Sequence, residues 1–221
     1  MIAALVALIG AALVVFLRGK GLFGRDAMSV RLRSAAALWL VALVGAVLAF
    51  RQPGFDMAGI GLYRFGWREA GLGLLFGVLG ILSVPLYILV ARRLGGAAHN
   101  AEAITTLASA PLPWRLVLLT TAGVAEEVIF RAVAIGALVA AGVPLAIAVA
   151  ISLAVFVVLH RSSWGAVHLI FVAVAGALMT AAFVLGGVWA AILAHVIIDA
   201  PMFLAGKAMA RRGPPAPSQI R

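Results

Sequence analysis

The sequence predicts an all-α fold: a polytopic membrane helical bundle of about seven transmembrane helices around a polar cavity facing the cytoplasm. Three observations predict it. The chain of 221 residues is 65% hydrophobic and only 11% charged, more apolar surface than a soluble domain of this size can hide. The apolar residues fall in blocks long enough to cross a bilayer, which takes ~20 residues, or fewer where flanking side chains snorkel. A few ionisable residues recur inside those blocks, where each one is expensive to keep.

The blocks lie near residues 2–17, 35–50, 71–91, 116–140, 143–160, 164–185 and 187–206. The first, MIAALVALIGAALVVFL, has no basic stretch ahead of it and runs into Arg18, Gly19 and Lys20 without a cleavage site. It therefore reads as a retained helix rather than a secretory signal. The second, Ala35 to Phe50, is the shortest. Residues 18–34 make a basic cytoplasmic loop, 51–70 an outer loop with interfacial aromatics, and 93–115 a second cytoplasmic loop with room for an interfacial helix. The chain divides into N-terminal spans and loops (1–114), a helical core (115–206) and a basic, proline-rich disordered tail (207–221). Glycine is abundant, with 24 residues, which suits close helix approach in lipid. Cysteine is absent, which excludes disulfides and thiolate metal sites.

An odd number of spans puts the termini on opposite sides. With the N-terminus outside, the cytoplasm receives Arg18, Lys20, Arg25, Arg31, Arg33, Arg92, Arg93, Arg115, Arg161, Lys207, Arg211, Arg212 and Arg221. The outside receives Arg51, Arg64 and Arg68, and Arg131 stays within the membrane. The positive-inside rule favours this orientation. The net charge of +10 is thus an orientation signal and a contact with anionic lipid, and no nucleic-acid partner is expected. A basic, alanine-rich, compact helical chain suits a bacterial inner membrane.

Glu126, Glu127 and Asp199 are the acidic residues inside spans, while His160, His168 and His195 lie in or at the edge of spans. Each is a candidate functional residue because charge in a bilayer faces the bundle interior or a watery cavity. At 1.5 Å of rise per residue, Glu126 lies roughly 16 Å from Arg115, while Asp199 and His195 lie roughly 12 and 18 Å from Lys207. All three fall at similar depth in the cytoplasmic half. Glu127 and Arg131 are four apart, in the favourable order for an ion pair, and Glu126 points about 100° away, free to face a cavity. His195 and Asp199 share the four-residue spacing, so the carboxylate can orient the imidazole or project beside it. The plainer readings are that Glu127–Arg131 staples helices and that His168, close to Trp164, is interfacial.

EExxxR (Glu126, Glu127, Arg131), FxxxH (Phe156, His160) and HxxxD (His195, Asp199), in this order and in separate apolar helices, resemble the CPBP family. These are the CAAX-protease and bacteriocin-processing intramembrane proteases, including Rce1-type prenyl-protein endopeptidases. The resemblance covers roughly residues 115–206, and the first hundred residues carry no matching motif. It implies a helical bundle around a conical cavity open to the cytoplasm, an endopeptidase activity, and a membrane protein or peptide as substrate. It also implies that Glu126 activates water, that His160 assists, that His195 and Asp199 stabilise the oxyanion, and that Glu127 and Arg131 support the site. Rce1-type enzymes commonly have asparagine where this chain has Asp199. An ionised aspartate donates no hydrogen bond, so Asp199 is either protonated or orients His195.

The family has been described both as glutamate-dependent and as metal-dependent. Two histidines and a glutamate are acceptable zinc ligands, but HExxH is absent and carboxylate protonation can also relieve the excess negative charge. A metal-free mechanism is favoured, with zinc as the rival cofactor. Two other functions fit parts of the pattern. A non-catalytic immunity or scaffolding relative would keep the fold without the chemistry. A proton-coupled transporter would use the same buried groups as relays, although no internal repeat is visible. The substrate, and whether it is prenylated, is not written in the sequence.

Overall fold

The computed structural model describes residues 1–24, 26–94, 107, 109–164 and 167–211. Among the described residues all regular structure is helical. Helix α1 is Ile2–Gly19, α2 Ala27–Phe50 and α3 Trp67–Arg93. A continuous helical run, α4, covers residues 112–140; α5 is Leu145–Trp164 and α6 His168–Arg211. Four helical stretches, Ile2–Gly19, Ala27–Phe50, Trp67–Ala91 and His168–Leu204, are long and apolar enough to cross a membrane. Most of the loop 93–115, with its expected interfacial helix and with His99 and Glu102, lies outside the described residues, as does the tail beyond Arg211.

Small residues set the packing. In α1, Ala3, Ala4, Ala7, Ala11 and Val14 are buried, while Leu5, Ile9, Leu13 and Phe16 form an exposed stripe on the other side. An apolar stripe facing outward suits lipid rather than water. Helix α2 begins earlier than its apolar block. The Asp26 carboxylate caps it by accepting from the Ser29 backbone N–H at 2.7 Å, so the helix carries Arg31 and Arg33 before the apolar stretch starts. Hydropathy finds the part of a helix that sits in lipid, and the cap finds where the helix begins.

Helix α3 packs along α6 through glycines. A Cβ added at Gly73 would come within 2.8 Å of Leu193, one at Gly77 within 2.7 Å of Ile197, and one at Gly80 would overlap Ile198. The absence of side chains there lets the two backbones approach closely. Helix α4 starts with Pro111-Leu112-Pro113, where a missing N–H costs nothing. It then winds through two π-helical turns, Thr121–Glu126 and Val128–Ile135.

Helix α6 is broken at Gly187, whose φ of 75° and ψ of −172° suit only glycine. Gly61, also at positive φ, packs directly against it. Ile60 O accepts the Val188 N–H at 2.9 Å and Leu62 O accepts the Trp189 indole N–H at 2.9 Å. The loop between α2 and α3 thus holds the break. Arg131 bonds Gly176 O, and its ion-pair partner Glu127 bonds His195. A straight helix would hold Gly176 and His195 about 28 Å apart, so the chain must turn back at Gly187. The expected boundary between segments ending at 185 and starting at 187 falls on this break.

Candidate functional site

Glu126 and Glu127 leave α4 between its two π turns. A π turn inserts a residue relative to regular α-helix and is common at functional sites. Here it presents adjacent carboxylates to different surroundings. Glu127 is fully buried and Arg131 is 1% exposed. The Arg131 guanidinium donates to Glu127 Oε1 at 3.0 Å and to Gly176 O at 3.2 Å, and lies 4.4 Å from the centre of the Phe156 ring. This ring face is a favourable seat for a cation. The helical spacing predicted the ion pair but gave no hint of Gly176.

His195 comes to the same carboxylate from α6. Its Nδ1 is 2.7 Å from Glu127 Oε1, and its Nε2 is 3.5 Å from Asp199 Oδ2. An ionised carboxylate can only accept, so the short contact places a proton on His195 Nδ1 and leaves Nε2 for other chemistry. The sequence left open whether Asp199 orients His195 or projects beside it; the shorter contact to the ring, at 2.7 Å, is that of Glu127. No pattern of spacing joins residues 68 apart in sequence. Glu127 Oε2 has no hydrogen-bond partner among the described residues.

Glu126 faces a cavity. It is 17% exposed and lines a space of about 80 Å³ with Arg18, Ser34, Leu38, Phe130 and His160, among others. A second space of about 120 Å³ shares Arg18, Ser34, Leu38 and Glu126 and adds Arg31 and Thr121. His160 reaches the first from α5. Its Nδ1 lies 2.7 Å from Phe156 O, and its Nε2 lies 3.9 Å from Glu126 Oε2. The backbone carbonyl accepts, so the Nδ1 proton is fixed and Nε2 is turned toward Glu126. At 3.9 Å the two do not bond directly. One water can reach both, and the cavity has room for it.

Phe156 joins the two groups. Its ring centre is 4.5 Å from His160, 6.5 Å from His195 and 5.2 Å from Phe130. The predicted residues thus form two sets of direct contacts, Glu126–His160 and Arg131–Glu127–His195–Asp199, and the Phe156 ring lies beside both histidines. His168 sits elsewhere, against the Tyr87 hydroxyl at 3.2 Å and the Phe171 ring. Arg115, expected only to mark a boundary, is 7% exposed and donates to Phe203 O and Leu204 O. It ties the start of α4 to the arm of α6 that carries His195. Among the described residues, no three histidine, cysteine or acidic side chains converge so as to hold a metal ion. Each imidazole has Nδ1 committed to an acceptor, which leaves Nε2 as its open nitrogen.

Residues 108–201 match the family described as Type II CAAX prenyl endopeptidase Rce1-like. The chain is similar to that family over this range, which contains every motif residue named above. No curated protein matches, and no solved structure matches. The family's description is of endopeptidases, and four helices here are long and apolar enough to cross a membrane.

Proposed function

We propose that the Rce1-like domain works as an intramembrane endopeptidase that cuts a peptide bond of a membrane-associated protein or peptide with water activated by Glu126. The observation that carries the reading is the facing pair across the cavity: a Glu126 carboxylate and a His160 ring whose other nitrogen is anchored to Phe156 O. A carboxylate that reaches water beside an imidazole of fixed tautomer is equipped for general-base catalysis. Glu126 takes a proton from water, and the resulting hydroxide attacks the carbonyl carbon. His195, held by Glu127, donates from Nε2 to the oxyanion once that nitrogen is protonated; Asp199 beside it donates when it carries the proton. Collapse breaks the C–N bond, and the proton held by Glu126, with His160, passes to the leaving amine. The products are a new carboxylate and a new amine.

The same reading includes seven spans, with the turn at Gly187 separating the last two, the N-terminus outside and the C-terminus in the cytoplasm of a bacterial inner membrane. The Met1 amine bonds Gln52 Oε1 at 2.7 Å, so the N-terminus and the outer loop share one side. The mechanism uses no metal. Treating purified protein with a strong chelator should leave activity intact; loss reversed specifically by zinc would refute that part. The reading as a whole is tested by comparing peptide ends in membranes of cells carrying wild-type protein or Glu126→Ala. Ends found only with wild type are expected. Identical ends, with the cellular phenotype preserved, would favour a non-catalytic scaffold.

A further inference from the structure

Thr121 and Glu126 border the same cavity, together with Leu118, Ala122 and the α2 residues Ser34 and Leu38. The two are five residues apart. In a regular α-helix five residues rotate about 140° past a full turn, which would put Glu126 on a different face from Thr121. A π turn closes on the fifth residue, so over Thr121–Glu126 both side chains share one face. Whether Glu126 meets the cavity is therefore set by where α4 changes register, and the change begins at Thr121.

Two hydrogen bonds meet at that residue. Thr121 is 4% exposed, and its hydroxyl donates to Val117 O at 2.8 Å. A hydroxyl has one proton, so its lone pairs are left for the Trp39 indole N–H, which donates to it from α2 at 3.0 Å. A threonine hydroxyl that bonds back to the carbonyl four residues earlier competes with the helical ladder and bends the helix. Inside the same turn, Gly123 makes room for Val196 of α6, which a Cβ there would overlap. The turn is thus tied to α2 at Thr121 and seated against α6, next to His195, at Gly123.

We propose that Trp39 and Thr121 are positioning residues: their hydrogen bond holds the π register of α4 that turns Glu126 into the cavity. Without the bond, α4 relaxes toward the α register and carries the Glu126 carboxylate away from His160. This deepens the peptidase reading and rests on it for the purpose of the turn. The register itself can be read without turnover, because the chain has no cysteine of its own. Glu126→Cys is introduced into the full-length protein in phosphatidylcholine nanodiscs, and its rate of reaction with methyl methanethiosulfonate is followed by mass spectrometry. The thiolate is the reacting form and needs water at the sulfur, so the rate reports how much of the protein keeps residue 126 in the cavity. Adding Trp39→Phe or Thr121→Val should slow labelling about threefold or more, the bias that one hydrogen bond gives between two registers. Thr121→Ser keeps the hydroxyl and should label as the parent does. The two slowing substitutions together should do no more than either alone. Trp39 is exposed, so Trp39→Phe tests the bond even where Thr121→Val fails to fold. With Glu126 intact, both substitutions should lower kcat at nearly constant KM, and Thr121→Ser should not. Unchanged labelling with a lower unfolding midpoint assigns the bond to stability alone and overturns the proposal. Slowed labelling, in a protein whose wild type releases no new peptide ends, upholds the register assignment and refutes the peptidase reading instead.

Discussion

Glu126 and Glu127 are neighbours in the chain and opposites in environment. One carboxylate lines a cavity opposite His160, and the other is fully enclosed by Arg131 and His195. Glu126→Gln keeps the shape and removes the base, so kcat should fall by about 10²–10⁴, the usual worth of general-base catalysis, with unchanged thermal stability. Glu127→Gln acts differently. It leaves the buried Arg131 without its countercharge, an imbalance that costs about 3–5 kcal/mol where a buried pair is broken, and it no longer fixes the Nδ1 proton of His195. A lower unfolding midpoint together with a fall in kcat at nearly constant KM is expected; a variant as stable and as active as wild type would remove Glu127 from the site. Asp199→Asn should keep substantial activity, because an amide donates as a protonated aspartate would. An inactive but folded protein would count against a donating Asp199. These residues were legible in the sequence because ionisable groups stand out in apolar runs. Their partners were not. Spacing tells which face a residue occupies, whereas the bond between Glu127 and His195 depends on how α6 is placed against α4.

Placement of helices falls to glycines and caps. Gly80 meets Ile198 directly, next to the turn bearing Asp199, while a Cβ at Gly71 in the same helix would meet nothing within 4 Å. Gly80→Ala should destabilise by about 1–3 kcal/mol through overpacking and lower activity by shifting His195 and Asp199. Gly71→Ala should be neutral or stabilise by about 0.5–1 kcal/mol, since alanine favours a helix. Unfolding midpoints in one detergent compare the pair, and equal loss in both would show that α3 does not position α6. At the start of α2, the Ser29 backbone N–H holds the Asp26 carboxyl below the usual carboxylate range. The cap is therefore fully present above the unfolded-state value and is lost as pH falls through the depressed one. Amide exchange at residues 27–30 should accelerate over that acidic window and not above it. Most helices could be read from hydropathy, and the break at Gly187 fell where the apolar blocks met. The early start of α2 and the π turns of α4 were hidden. The first lies outside lipid, and the second changes hydrogen-bond register without changing composition.

For the whole molecule, the proposed orientation puts the basic loop in the cytoplasm and the loop at 51–66 outside. The protein has no cysteine, so single cysteines report topology cleanly. In intact cells, Ala58→Cys should react with a membrane-impermeant maleimide and Leu22→Cys should react only after lysis; the reverse pattern would invert the bundle. The central claim is hydrolysis by water activated at Glu126, and it has a direct isotopic test. Wild-type and Glu126→Gln proteins are reconstituted in liposomes, incubated with a solubilised membrane-protein extract in ¹⁸O-labelled water, and the peptide ends are read by mass spectrometry. New C-termini carrying ¹⁸O should appear with the wild type and be absent with the variant. Labelled ends produced equally by both proteins would contradict the account.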